Sequence, residues 1–211
     1  MPDERFEDHL RHPRGRGRVV PGAHDGAAGG HTCGDLVRIS ITVEGEHVAA
    51  ASFEASGCGA TIAAGSAAVE LVEGAHVLDA ARVGSAQISA ELGGLSAGKL
   101  HAADLASDAM HRALGAAVRA AGEMRGAEEV RAGRTLVAMS GGVDSAVAAL
   151  LSVRAGLDVA AVTLELWADE GHDQVGSCCS AAAVRGARAV AHGLGLPHFT
   201  LDLRDEFRAG V

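Results

Sequence analysis

Tyrosine is absent from this 211-residue chain, and the other large aromatics are four Phe and one Trp. A core must therefore be assembled from Ala, Val, Leu and Ile, and a binding mode in which bases stack on aromatic rings has little to work with. Cysteine is scarce, with four residues. Neither a signal peptide nor an apolar run of membrane length is present, which excludes a spanning helix and points to a reducing cytoplasm. Disulfide stapling is not expected there, so the thiols remain available for metal or sulfur chemistry. Positive charge is also in deficit: 18 Lys and Arg stand against 27 Asp and Glu, a net charge of −9. The charge is 0 over residues 1–30, −6 over 31–131 and −3 over 132–211. No segment is basic enough to form a nucleic-acid platform. RNA remains open as a substrate, with its phosphate contacts made elsewhere.

What is present, 48% hydrophobic residues, supports two small domains. Residues 1–30 read as a short amphipathic start followed by a flexible loop, of low complexity around Gly26 to Gly30. From Leu36 the pattern alternates, with Val37, Ile39, Ile41 and Val43 on one face, as in a half-buried antiparallel strand. Glu44-Gly45-Glu46 is a turn, and His47 to Ala55 is the hairpin partner. Gly57-Cys58-Gly59 breaks that strand, and Thr61 to Glu73 is an apolar helix ending at Gly74. Helical segments follow at Val77 to Arg82 and Ser85 to Leu92. A longer helix from Leu100 to Ala121 carries its apolar face on Leu100, Leu105, Ala109, Leu114 and Val118.

Gly122 to Gly133 has glycine at both ends and no apolar face, and reads as a linker. Beyond it, strands over 135–139, 158–164 and 198–202 alternate with helices over 144–155 and 180–193, the pattern of a parallel sheet. The expected architecture is an α+β domain over 1–121, with antiparallel strands and then helices, a linker over 122–133, and an incomplete α/β domain over 134–211. The second domain has a parallel sheet left unfinished at Val211.

Ser140-Gly141-Gly142-Val143-Asp144-Ser145 lies between the first parallel strand and its helix. Adjacent glycines let the backbone approach a ligand, and the N–H groups and dipole of the helix's first turn favour an anion such as phosphate. There is no Gly-x-x-x-x-Gly-Lys pattern, so this is not a Walker loop. A glycine turn capped by Asp144 or Ser145 is the alternative.

The hexapeptide resembles the pyrophosphate-binding loop of the ATP pyrophosphatases. Further residues follow it in order: Leu164-Glu165-Leu166-Trp167 with Asp169-Glu170, Ser177-Cys178-Cys179-Ser180, Gly195-Leu196-Pro197-His198-Phe199, and Asp205-Glu206-Phe207. Together they resemble the start of the MnmA-type tRNA 2-thiouridylases. The resemblance implies ATP with Mg²⁺ at Ser140, Gly141, Gly142, Val143, Asp144 and Ser145. It also implies that the catalytic cysteines lie past Val211 and that tRNA is held by regions absent from this chain. Cys178-Cys179 takes a structural or substrate-pocket role.

A second constellation lies in the first domain. Cys33-Gly34-Asp35, Gly57-Cys58-Gly59 and Lys99-Leu100-His101 fall at successive element boundaries. Singly, a histidine at a helix start is a cap and a small-domain cysteine a buried filler. Jointly, two thiolates, an imidazole and a carboxylate fit a tetrahedral zinc site of Cys33, Asp35, Cys58 and His101.

Over residues 6–120 these motifs, with Asp8-His9, Pro13-Arg14 and Glu91-Leu92-Gly93, resemble the IscU/NifU-type iron–sulfur scaffold proteins. Two departures stand out. Ala102 occupies the place of the family's third cysteine, which favours zinc over a durable [2Fe-2S] cluster. Leu95-Ser96-Ala97-Gly98 lacks the double proline by which these scaffolds engage their chaperone.

The two resemblances imply an ATP-dependent tRNA-uridine 2-sulfurtransferase, acting at the wobble position, with a fused sulfur or iron–sulfur carrier domain. Cys33 or Cys58 would receive sulfur from a cysteine desulfurase. The alternative is an iron–sulfur scaffold or zinc-dependent sulfur carrier without enzymatic activity of its own. Taken alone, the 211-residue chain is expected to be an inactive part of the enzyme.

Overall fold

The computed structural model describes residues 4–29, 34–125, 133–166 and 180–210, with the side chains of 123–125 left aside. Cys33, Trp167, Asp169, Glu170, Ser177, Cys178 and Cys179 lie outside these residues, as does most of the expected linker. The chain divides into two compact units, Met1–Ala121 and Gly122–Val211.

The first unit opens with helix α1 (Glu4–Arg11), whose Phe6 and His9 are buried. Strands β1 (His24–Gly29), β2 (Leu36–Glu44) and β3 (His47–Ser56) form an antiparallel sheet in that order. Alternation on β2 sets the register: Ile39 pairs with Phe53 and Ile41 with Ala51, and all four side chains are buried. A register shift between Thr42 and Val43 leaves Val43 only half-buried.

The flexible loop expected up to Gly30 is corrected, since His24–Gly29 is a strand paired with Ile41 through Leu36. Its Gly and Ala residues carry no hydrophobic alternation, and the strand exists because small side chains let it lie directly on the long C-terminal helix. A Cβ at Gly26 would overlap the carbonyl oxygen of Ala109.

Helix α2 (Gly59–Val72) runs through the centre of the unit, with Ala63, Ala64, Ala67, Ala68 and Val72 fully buried. Short helices α3 (Val77–Ala80) and α4 (Ser85–Glu91) and a 3₁₀ turn over Ala97–Lys99 lead into α5 (Leu100–Arg125). Helix α5 continues through Gly122, where a linker was expected to begin. Its apolar stripe also differs from expectation. Leu100 is exposed, Leu105 and Val118 are half-buried, and the packed face is Ala102, Ala103, Ala106, Ala109, Met110, Ala113, Leu114 and Ala117. Alanine, having almost no side chain to hold a neighbour away, lets this helix sit closely against the sheet.

The second unit contains β4 (Arg134–Ala138), α6 (Val143–Arg154), β5 (Asp158–Glu165), α7 (Ala181–Gly193), β6 (His198–Asp202) and α8 (Arg204–Gly210). The three strands are parallel, in the order β4–β5–β6. Val137 and Met139 pack with Val159, Ala161, Ala149, Ala187, Ala191 and Leu196 into one core. This small, aliphatic core is what the shortage of aromatic residues requires.

Candidate functional site

Asp35 precedes β2, Cys58 caps the N-terminus of α2, and His101 lies in the first turn of α5. The fold brings the three together, and their ligand atoms all lie within 4.8 Å of one another. Asp35 is the hub. Its Oδ1 accepts the Cys58 backbone N–H at 3.3 Å, and its Oδ2 accepts the Thr61 hydroxyl at 2.8 Å. The same Oδ2 lies 3.2 Å from His101 Nε2 and 3.8 Å from Cys58 Sγ. Burial by itself would raise the Asp35 pKa. Hydrogen bonds from Thr61, His101 and the Cys58 N–H outweigh it and hold the carboxyl below the usual carboxylate range. Glycine at position 57 is required sterically, because a Cβ there would overlap the Asp35 carboxylate.

The donor set suits a metal ion. Around tetrahedral zinc, with bonds of about 2.0–2.3 Å to nitrogen, oxygen and thiolate, adjacent ligand atoms stand about 3.3–3.6 Å apart. The observed separations of 3.2 Å for His101–Asp35 and 3.8 Å for Cys58–Asp35 bracket that range. Asp35 is buried, while Cys58 and His101 are exposed, so the pocket opens on its sulfur and imidazole side. Cys33, the expected fourth ligand, lies outside the described residues, two positions before Asp35.

The Ser140–Ser145 loop sits at the carboxyl end of β4. Gly141 has φ +80°, and a Cβ on it would come within 2.8 Å of the Ala183 carbonyl oxygen, so both its conformation and its neighbour demand glycine. Gly142 is the N-cap of α6 and contributes no side-chain cap. Ser145 Oγ donates to the Gly142 carbonyl at 3.0 Å and lies 3.4 Å from Ser140 N, which closes the turn from within. Ser140, Gly141, Gly142, Val143 and Asp144 are all exposed, leaving the first turn of α6 open to solvent.

Residues outside the motif hold the approach to this loop. Buried Thr163 donates to the Met139 carbonyl at 2.8 Å and lies 2.9 Å from Nε2 of buried His198. A hydroxyl has one proton to give, so His198 Nε2 is the donor in the second bond. Burial, then the charges of Arg188 and His192, pushes the His198 pKa down to about 3. The ring is neutral over the whole physiological range.

Residues 3–120 match the family described as NifU-like N terminal domain, more than half of the chain. The chain belongs to that family. Residues 133–211 match the tRNA methyl transferase HUP domain, so a NifU-like domain is fused here to the N-terminal part of an MnmA-type domain. The bifunctional protein NifU/MnmA of Rubrobacter xylanophilus is 44% identical over 211 residues, covering 96% of this chain and 43% of that protein. The tRNA-specific 2-thiouridylase MnmA of Lachnoclostridium phytofermentans is 46% identical over 81 residues, 37% of this chain and 23% of that one. A solved NifU-like N-terminal protein from Brucella abortus, 18% identical, covers 50% of this chain and 75% of its own at a TM-score of 0.36, and it adds no weight to the assignment. The chain thus spans less than half the length of the curated relatives it matches.

Of the residues named from sequence, Asp35, Cys58 and His101 converge, and Ser140 to Ser145 form one exposed turn. Thr61, Thr163 and His198 were missed as supporting groups. Thr61 is one helical turn beyond Cys58, a spacing that puts a third-position hydroxyl beside the capping residue. His198 lies in the motif Gly195-Leu196-Pro197-His198-Phe199, but its bond to Thr163, which has no signature of its own, is made only when β5 and β6 pair.

Proposed function

We propose that this chain is the sulfur-receiving and nucleotide-binding portion of an ATP-dependent tRNA-uridine 2-sulfurtransferase. The supporting observation is the convergence of Asp35, Cys58 and His101 in a chain that also carries an exposed Ser140–Ser145 turn at the end of a parallel strand. Cys58, exposed and free, accepts sulfur from a cysteine desulfurase as a persulfide. Cys33 is the second carrier candidate. Cys33, Asp35, Cys58 and His101 would hold a zinc ion, which when bound would act as a Lewis acid and keep the thiolates deprotonated. In the second unit, the amides of Gly141 to Ser145 hold the phosphates of ATP, with Mg²⁺ balancing their charge. Adenylation of the uridine 2-oxygen releases pyrophosphate and makes AMP the leaving group. The terminal sulfur of a cysteine persulfide then bonds to that carbon as AMP departs. A second cysteine thiolate among the later residues attacks the carrier's sulfur, breaking the S–S bond, forming a disulfide and freeing the 2-thio group. The tRNA and the later cysteines belong to the remaining length that the longer relatives possess.

A second reading, a zinc-dependent sulfur carrier or iron–sulfur scaffold, is favoured by one observation: the whole Asp35–Cys58–His101 cluster lies within the first unit. The two readings part on nucleotide. Incubation with a desulfurase and ³⁵S-cysteine should label the chain in both, and the label should fall in Cys58→Ser and vanish in Cys33→Ser/Cys58→Ser. Binding of ATP·Mg²⁺ that is lost in Ser140→Ala/Asp144→Ala supports the enzyme, whereas a chain without ATP affinity supports the carrier.

A further inference from the structure

We infer that Thr61 is a positioning residue that makes Asp35 a single-oxygen ligand beside Cys58 and His101 and so keeps the coordination number of the site low. The inference rests on the metal reading of Asp35, Cys58 and His101. Thr61 is completely buried in the first turn of α2, where its hydroxyl lies 2.8 Å from Asp35 Oδ2 and 3.4 Å from Cys58 Sγ. A carboxylate has about four lone-pair positions, two on each oxygen. One on Oδ1 is taken by the Cys58 N–H, and one on Oδ2 by Thr61. What faces His101 Nε2 and Cys58 Sγ is the remaining side of Oδ2 alone.

For Asp35 to chelate through both oxygens, Oδ1 would have to turn away from the N-terminus of α2. Cys58, the N-cap residue, makes no side-chain cap bond there, so that turn would strip the helix start of its carboxylate acceptor. Bonds from Cys58 N–H and Thr61 Oγ1 therefore clamp the two ends of one carboxylate. The clamp resists rotation about its Cβ–Cγ bond. Valine has nearly the shape of threonine but no hydroxyl, so exchanging the two separates the clamp from mere space filling.

The test loads the full chain with Co²⁺, whose visible d–d bands are intense in a tetrahedral site and weak at higher coordination, and measures Zn²⁺ affinity alongside. The parent should show the intense bands. Thr61→Val should lose intensity as Asp35 turns to offer both oxygens, and should bind Zn²⁺ about tenfold more weakly, the lower end of what removal of a ligand's hydrogen-bond partner causes. Thr61→Ser should restore both. If circular dichroism shows that Thr61→Val does not fold, Thr61→Ala serves as the hydroxyl-free variant. A hydroxyl-free variant with the parent's cobalt spectrum and zinc affinity would overturn the inference while leaving the metal site standing, and so would failure of serine to restore them. A parent chain that binds neither ion would overturn the metal reading itself and this inference with it.

Discussion

His101 Nε2 lies 3.2 Å from Asp35 Oδ2 although 66 residues separate them in the chain. The contact joins the start of β2 to the start of α5 and encloses the carboxylate, while the imidazole keeps an exposed edge. Two consequences follow for stability. A carboxyl whose pKa is depressed below the ordinary 3.8 binds fewer protons folded than unfolded. Its contribution is therefore complete above that pH and is lost as pH falls through the lower folded value. Asp35→Asn, measured without metal by urea unfolding, should be less stable than the parent at pH 7 by about 1.5–3 kcal/mol, the range for hydrogen bonds to a charged group. The difference should shrink as the pH falls below 3.8. A constant difference at all pH values would show that Asp35 is not ionised in the folded state.

His198 gives the second unit an acid limb of its own. Its folded pKa is about 3 and its ordinary value 6.5, so between them the unfolded chain takes up a proton that the folded chain refuses. The stabilisation is fully present above pH 6.5 and falls toward pH 3, by up to about 1.4 kcal/mol for each pH unit. Hydrogen exchange at the paired amides of β5, Val159 to Thr163, should follow this unit's unfolding. His198→Gln should flatten the pH dependence. Parallel curves for parent and variant would contradict it.

Gly141→Ala should damage the exposed turn more than Ser140→Ala does. The left-handed backbone at φ +80° costs a residue with a Cβ about 1–2 kcal/mol, and the Ala183 carbonyl would have to yield as well. The expected result is a lower melting temperature for the second unit and loss of ATP affinity. Retention of both would mean that the turn tolerates remodelling and does not cradle the phosphates through its backbone.

Ala102→Cys probes the preference for zinc. Position 102 follows His101 and is fully buried, so a sulfur there must be accommodated by closely packed neighbours, at about 1–3 kcal/mol. If the thiolate joins the cluster, anaerobic reconstitution with iron and sulfide should produce a visible iron–sulfur absorption band that the parent lacks. A parent that already holds a stable cluster would show that Asp35 suffices as a ligand and that the zinc preference is wrong.

Much of the site was legible in the sequence because its residues sit at element boundaries that glycine marks. Asp35 follows Gly34, Cys58 lies between Gly57 and Gly59, and Ser140 precedes Gly141-Gly142. The regular elements were legible where side chains differ strongly in polarity, as along β2. Where composition is nearly uniform the pattern failed. The strand His24–Gly29 is built of Gly and Ala with one His and one Asp, and its cause is the close approach of α5, a tertiary effect. On α5 the large residues Leu100, Leu105 and Val118 drew attention from the alanine stripe that packs. Thr61 was only partly legible, through its spacing from Cys58. Its importance comes from two hydrogen-bond neighbours, one of them 26 residues away.

The most direct test is zinc stoichiometry and affinity of the 211-residue chain alongside Asp35→Ala, Cys58→Ala and His101→Ala. One zinc ion per parent chain, with affinity falling at least tenfold in each variant, is expected for a site in which all three side chains are ligands. A parent that binds no zinc, or one whose zinc survives removal of Cys58, would contradict it.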